Sequence, residues 1–189
     1  GIIDSGVNDG HPLLEGVVID AIGIDGHPAA DEKGHGTAVA AVAAYGDLDS
    51  MRANETFQPR FAIVSARVVD ARGKFADMSL APKLIEEAVR RLHGDYGCRV
   101  INVSLADPQT RVGARGTLWS AILDTLAREL DVLIVVSTGN TDVNSLIEAH
   151  GNAVVQAFPS YLYDDANRIL EPAGALNTLT VGALAHVNG

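Results

Sequence analysis

Val132-Leu133-Ile134-Val135-Val136-Ser137 is a continuous apolar run rich in β-branched residues, with no alternation of apolar and polar positions. Such a run belongs to a parallel strand covered on both faces rather than to a half-exposed one. Val100–Ser104 has the same character, as do Gly1–Ile3 and Ala62–Val69, and Leu179–Ala183 reads as a further strand. Helical patterns fill the intervals. Thr37–Tyr45 is mostly Ala and Val and meets a stop signal at Gly46. Ser79–Leu92 repeats its apolar residues at Leu80, Leu84, Ala88 and Leu92, and Leu118–Leu130 does so at Leu118, Ile122, Leu126 and Leu130. This alternation predicts an α/β domain: a three-layer, mainly parallel, doubly wound sheet with helices on both faces. Gly1–Ile3 is shorter than a usual strand of ~5–6 residues, so the first strand is expected to be truncated.

The chain has 189 residues, enough for one domain with a substantial core. Apolar residues make up 47% and aromatic ones only 5%, so that core is built from Val, Ile, Leu and Ala. A net charge of −10 argues against a nucleic-acid partner, because phosphate recognition needs a basic surface. Cys98 is the single cysteine, which rules out an intrachain disulfide and fits a reducing compartment without requiring one. No run approaches the ~18 apolar residues of a membrane span, and no signal peptide is recognisable, so a membrane partner is not expected and the compartment stays open.

In doubly wound sheets, functional groups gather outside the carboxyl ends of the strands. Asp4, Asp70, Ser104 and Gly139-Asn140 each follow a strand, which puts four candidate segments on one sheet edge. Asp4-Ser5-Gly6 alone reads as a carboxylate capping a turn. Gly34-His35-Gly36-Thr37 opens a helix with a histidine freed of bulk on both sides. Together they suggest a carboxylate that orients an imidazole for proton transfer. In Val136-Ser137-Thr138-Gly139-Asn140 the asparagine offers a side-chain NH₂ as a fixed donor to a developing oxyanion.

These three motifs resemble the subtilisin-like serine proteases. Asp4-Ser5-Gly6 is similar to that family's aspartate motif, His35-Gly36-Thr37-Ala38-Val39-Ala40 to its histidine helix, and Gly139-Asn140 to its oxyanion asparagine. Between them, Val100–Leu105 looks like the strand lining the primary specificity pocket, and Ala66–Val69 with Asp70–Phe75 like the segment that pairs with substrate. Asn177–Ala183 looks like the strand before the nucleophile region. The resemblance covers essentially the whole chain, in family order. It implies an Asp-His-Ser endopeptidase acting on polypeptides, with Asp4, His35 and Asn140 catalytic. It also implies that Gly73, Lys74, Phe75, Ser104, Leu105 and Ala106 pair with the peptide, and that Ser137, Thr138, Gly139 and Thr141 wall a pocket for a neutral or apolar side chain.

Several positions depart from the family pattern. Ala38 and Ala41 stand where His and Gly are common, but both are small. Leu13 and Leu14 follow His11-Pro12 where many members carry an acidic calcium ligand, so no calcium site is carried over and no cofactor is expected. Asp47, Asp49, Asn54 and Glu55 read as a solvated acidic loop rather than a cation site. Thr141 to Asn177 is longer than the family's usual connection. In subtilisin the histidine and serine stand about 157 residues apart, which puts the nucleophile near position 192, beyond Gly189. Ser137, Ser145 and Ser160 lack its context. The expectation is therefore a partial peptidase domain over residues 1–189, inactive by itself, cut within its first strand and before its serine. The alternatives are a non-catalytic protein-binding module that keeps the cleft, and a nucleotide-binding domain supported only by Gly34-x-Gly36. Oligomeric state is not legible.

Overall fold

In the computed structural model, residues 1–53, 57–140 and 143–183 are described. Six strands form one parallel sheet: β1 (Ile2–Asp4), β2 (Val18–Gly23), β3 (Ile63–Arg67), β4 (Val100–Val103), β5 (Leu133–Ser137) and β6 (Leu179–Val181). Their order is β2-β3-β1-β4-β5-β6, so the chain reverses its direction of winding beside β1. The carboxyl end of β1 is therefore a switch point where loops from both halves of the sheet diverge.

Alternate side chains of a strand point to opposite faces, and here each face has its own core. Ile3, Val64, Ala66, Ile101, Val103, Ile134 and Val136 pack under helices α3 (Ala81–Tyr96) and α4 (Leu118–Leu130). Ile2 and Ile63 turn the other way and pack with Ala40, Ala44 and Tyr45 of α1 (His35–Tyr45). The doubly wound α/β architecture read from the sequence is the observed one. Helix α3 begins with Pro82 in its first turn and ends on Gly97 at φ 69°, so both of its ends carry the expected signals.

Three elements lie where no clear pattern is readable. β2 is an edge strand with Ile19 and Asp20 exposed, so it has neither a continuous apolar run nor clean alternation. The acidic stretch from Asp47 contains a short helix, α2 (Leu48–Ala53), and Asp47 Oδ1 accepts from Ser50 N at 3.1 Å. The long connection after Asn140 holds α5 (Val143–His150), α6 (Val154–Ala157) and three single turns of 3-10 helix. Strand β6 ends at Val181, two residues earlier than the sequence suggests.

Candidate active site

Asp4 is the last residue of β1 and His35 the first of α1. The Asp4 carboxylate is 1% exposed and its Oδ1 lies 2.8 Å from His35 Nδ1, while the imidazole is 54% exposed. Ser5 N donates to the same Oδ1 at 2.7 Å, and Oδ2 is buried with no partner among the described residues. A carboxylate only accepts, so this contact puts the proton on Nδ1 and leaves Nε2 as the acceptor. A nearby negative charge with one oxygen uncommitted is suited to stabilise an imidazolium.

Two glycines allow this approach. A Cβ on Gly36 would stand 2.1 Å from Gly6 O and 3.2 Å from Asp4 Cβ. A Cβ on Gly6, whose φ is +99°, would stand 2.4 Å from Ala29 O. The first turn of α1 therefore rests directly on the end of β1, which is what sets the ring over the carboxylate.

Asp31 completes the arrangement, and no sequence spacing points to it. Gly34 at the start of α1 supplies no side-chain cap. Instead Asp31 Oδ2 accepts from Thr37 N and Thr37 Oγ1, and Oδ1 accepts from Gly34 N at 2.8 Å and Ser5 Oγ at 2.9 Å. Ser5 Oγ in turn accepts from Gly36 N at 3.0 Å. Burial pushes the Asp31 carboxyl upward, but the hydrogen bonds from Thr37, Gly34 and Ser5 outweigh it and hold the group below its ordinary value. Arg67, fully buried, fixes the same loop through Ala30 O and through Glu32 Oε1 at 3.0 Å. Arg67 is the last residue of β3, so these two bonds tie the loop before α1 to the strand end, and its Nε donates to Val69 O at 2.9 Å.

A cleft of about 540 Å³ opens beside His35. It is lined by three segments, Gly73 to Phe75 after β3, Ser104 to Ala106 after β4, and Ser137, Gly139 and Asn140 at the end of β5. Phe75 is held edge-on to the buried Trp119 at 5.7 Å. Gly139 adopts φ +83°, and a Cβ there would stand 2.5 Å from Leu170 Cδ1. Leu170 thus packs onto the Gly139 backbone and lines both the cleft and a second pocket of about 60 Å³.

The subtilase family matches residues 1–188. The chain belongs to that family. An uncharacterized protein, y4bN, of Sinorhizobium fredii is 42% identical over 113 residues, covering 57% of this chain and 25% of that protein. Among solved structures, MycP1 with its N-terminal propeptide removed superposes with a TM-score of 0.58 at 21% identity, over 97% of this chain and 56% of that one. The likeness bears on the fold: both hold the subtilisin-like arrangement. The prenylagaramide maturation protease PagA is 26% identical over 74% of this chain and 45% of that one, with a TM-score of 0.49. The chain spans a quarter (25%) of the curated relative and about half (45% and 56%) of the solved structures it resembles.

Of the residues expected in a subtilase site, Asp4, His35, Asn140, Gly73, Lys74, Phe75, Ser104, Leu105, Ala106, Ser137 and Gly139 all line the one cleft. Thr138 does not. Its N–H donates to Val181 O at 3.1 Å and its carbonyl accepts from Leu170 N at 2.9 Å, so it bridges neighbouring segments and lines only the smaller pocket. Thr141, Asn54 and Glu55 lie outside the described residues. Leu14 is buried in the core under α1, and Leu13 packs against it. Among the described residues, no group of three or more His, Cys, Asp or Glu is gathered as metal ligands. Among the described residues no helix is long and apolar enough to cross a membrane. Sequence reasoning missed Asp31, Lys33 and Leu170. The available signal for Asp31 was an acidic residue just ahead of a helix that lacks its own cap.

Proposed function

We propose that the protein is a serine endopeptidase of the subtilisin type, and that residues 1–189 form the part of its peptidase domain that carries the base and the oxyanion donor. The observation that carries this reading is the 2.8 Å contact between buried Asp4 and exposed His35 at the mouth of a peptide-sized cleft. A serine Oγ attacks the scissile carbonyl carbon while His35 Nε2 takes its proton. The C–N bond then breaks, and the same proton passes to the leaving amine. Asp4 holds the tautomer and offsets the imidazolium charge, and Asn140 donates to the oxyanion. Water repeats the sequence on the acyl-enzyme. The substrate pairs as an added strand along Gly73–Phe75 and Ser104–Ala106, leading to a primary pocket beside Ser137–Gly139.

The nucleophile is assigned to a serine outside these residues. Ser5 Oγ is engaged with Asp31 and Gly36, and Ser104 Oγ accepts from Asn102 Nδ2 at 2.7 Å. The sheet supports the same assignment. On the face that β1 and β3 bury under α1, strands β4 to β6 leave Val100 58%, Leu133 44%, Leu179 50% and Val181 49% exposed. Parallel sheets are covered on both faces, and α1, apolar all round, also leaves Val42 exposed. A helix that starts at the cleft with the serine would cover this surface.

The test is hydrolysis of casein and internally quenched peptides by the full-length protein. Cleavage that falls by at least about 10³-fold in His35→Ala supports the proposal. Cleavage unaffected by His35→Ala, or no cleavage alongside tight peptide binding, overturns it in favour of a binding module.

A further inference from the structure

We propose that Lys33 and Lys74 make this cleft selective for peptides with an acidic side chain on the acyl side of the scissile bond; the inference rests on the peptidase reading above and names its substrate class. The two lysines reach the cleft from different elements. Lys33 precedes α1 in the loop fixed by Arg67 and Asp31, and Lys74 follows β3 in the turn proposed to pair with substrate. Gly73 brings them together. The Cγ, Cδ and Cε atoms of Lys33 lie 3.6, 3.9 and 3.8 Å from the point where a Gly73 Cβ would stand. The Lys33 stem therefore runs along the backbone next to Lys74, and both lysines line the same cleft.

The carboxylates around them among the described residues are engaged with other donors. Apart from these lysines, the ionisable groups lining the cleft among the described residues are Asp4 and His35, which are bonded to each other. Glu32 is paired with Arg67. Asp70 Oδ1 accepts from Arg72 N and Lys74 N at 2.8 and 3.0 Å, and Asp107 from Gln109 N at 2.9 Å and Thr110 Oγ1 at 2.6 Å. Among the described residues neither lysine is ion-paired with a carboxylate. The chain as a whole carries −10, which repels an acidic peptide at long range. That repulsion is screened beyond about 8 Å at physiological salt, whereas a bound carboxylate meets the lysines at contact distance. The local charge therefore decides selectivity. Because the peptide leads along Gly73–Phe75 towards the primary pocket, the side chains meeting these lysines are on the acyl side.

The experiment measures fluorescence anisotropy of labelled octapeptides on the full-length protein carrying His35→Ala, which stops turnover. One residue is varied between Glu, Gln and Lys at each acyl-side and leaving-side position. At one or two acyl-side positions the Glu peptide is expected to bind about tenfold more tightly than its Gln isostere, a ratio equivalent to about 1.4 kcal/mol. The ratio falls to about one in Lys33→Gln/Lys74→Gln, and Lys33→Glu/Lys74→Glu prefers the Lys peptide. Equal binding of Glu and Gln peptides, a Glu preference confined to the leaving side, or one that survives the double Gln variant overturns the inference. The same peptides are then offered to the protein with His35 intact. Absence of cleavage counts against the peptidase reading alone, because the binding series decides the charge selectivity independently.

Discussion

Asp31 Oδ2 accepts hydrogen bonds from both the backbone N–H and the hydroxyl of Thr37, at 2.8 and 2.6 Å. This caps the helix that carries His35, and it reaches Asp4 through Ser5, whose hydroxyl donates to Asp31 and whose N–H donates to Asp4. Replacing Asp31 by Asn puts a donor where donors already converge. The expected loss is about 2 kcal/mol of stability, near the lower end for hydrogen bonds to a charged group because the site is partly exposed. Urea unfolding of wild type and variant measures it.

The same carboxylate gives a pH signature. Its hydrogen bonds hold it below the ordinary carboxylate value of about 3.9, so its stabilising contribution is present above about pH 4 and is lost as pH falls through the folded-state value. The wild type is therefore expected to lose stability as pH falls below about 4, and Asp31→Asn to lose less over that range. Parallel stability curves for the two proteins would contradict this.

Asp4→Asn keeps the shape of the buried carboxyl and removes its charge. The amide presents a donor or a neutral acceptor to Nδ1, so the ring loses its enforced tautomer. In the full-length protein kcat is expected to fall on the order of 10⁴-fold with KM little changed. Steady-state kinetics on a quenched peptide checks the split, and a change confined to KM would assign Asp4 to binding instead.

Gly36→Ala would push a methyl against Gly6 O, 2.1 Å from the ideal Cβ position. Helix α1 must shift away from β1. The expected cost is about 1–3 kcal/mol, with a drop in activity larger than that of an Ala substitution on the exposed face of α1 such as Val42→Ala. Thermal unfolding and kinetics on both variants make the comparison.

Leu170→Ala removes the side chain packed on Gly139 and joins the smaller pocket to the cleft end. Stability should fall by about 2–5 kcal/mol, as for buried leucines generally. Cleavage should shift towards peptides with a larger apolar residue in the primary pocket. Competition between Ala and Phe peptides reads the shift, and an unchanged ratio would place the pocket elsewhere.

How much was legible follows from burial. Strands β1, β3, β4 and β5 are covered by side chains on at least one whole face, and their apolar runs say so directly; α3 and α4 show the same one-sidedness at helical spacing. β2 escaped because an edge strand mixes Ile19 and Asp20 on exposed positions. Asp4, His35 and Asn140 could be picked out because each stands in a short motif with a glycine, Asp4-Ser5-Gly6, Gly34-His35-Gly36 and Gly139-Asn140, after a strand or at a helix start, and the structure places all three on one cleft. Asp31 and Lys33 could not be, since their roles arise from where Arg67 and Gly73 hold a polar loop, and neither partner is near them in sequence. Thr138 looked like part of the pocket wall from its neighbours, but its backbone is taken up in bonds to Leu170 and Val181.

In the proposed mechanism Asp4 and His35 together activate a serine. The most direct measurement is the rate of phenylmethylsulfonyl fluoride labelling of the full-length protein, with the modified residue mapped by mass spectrometry. One sulfonylated serine outside residues 1–189 is expected, with labelling slowed by at least about 10³-fold in His35→Ala. Labelling at an unchanged rate in His35→Ala, or no serine labelled in a protein that still binds peptides, would contradict it.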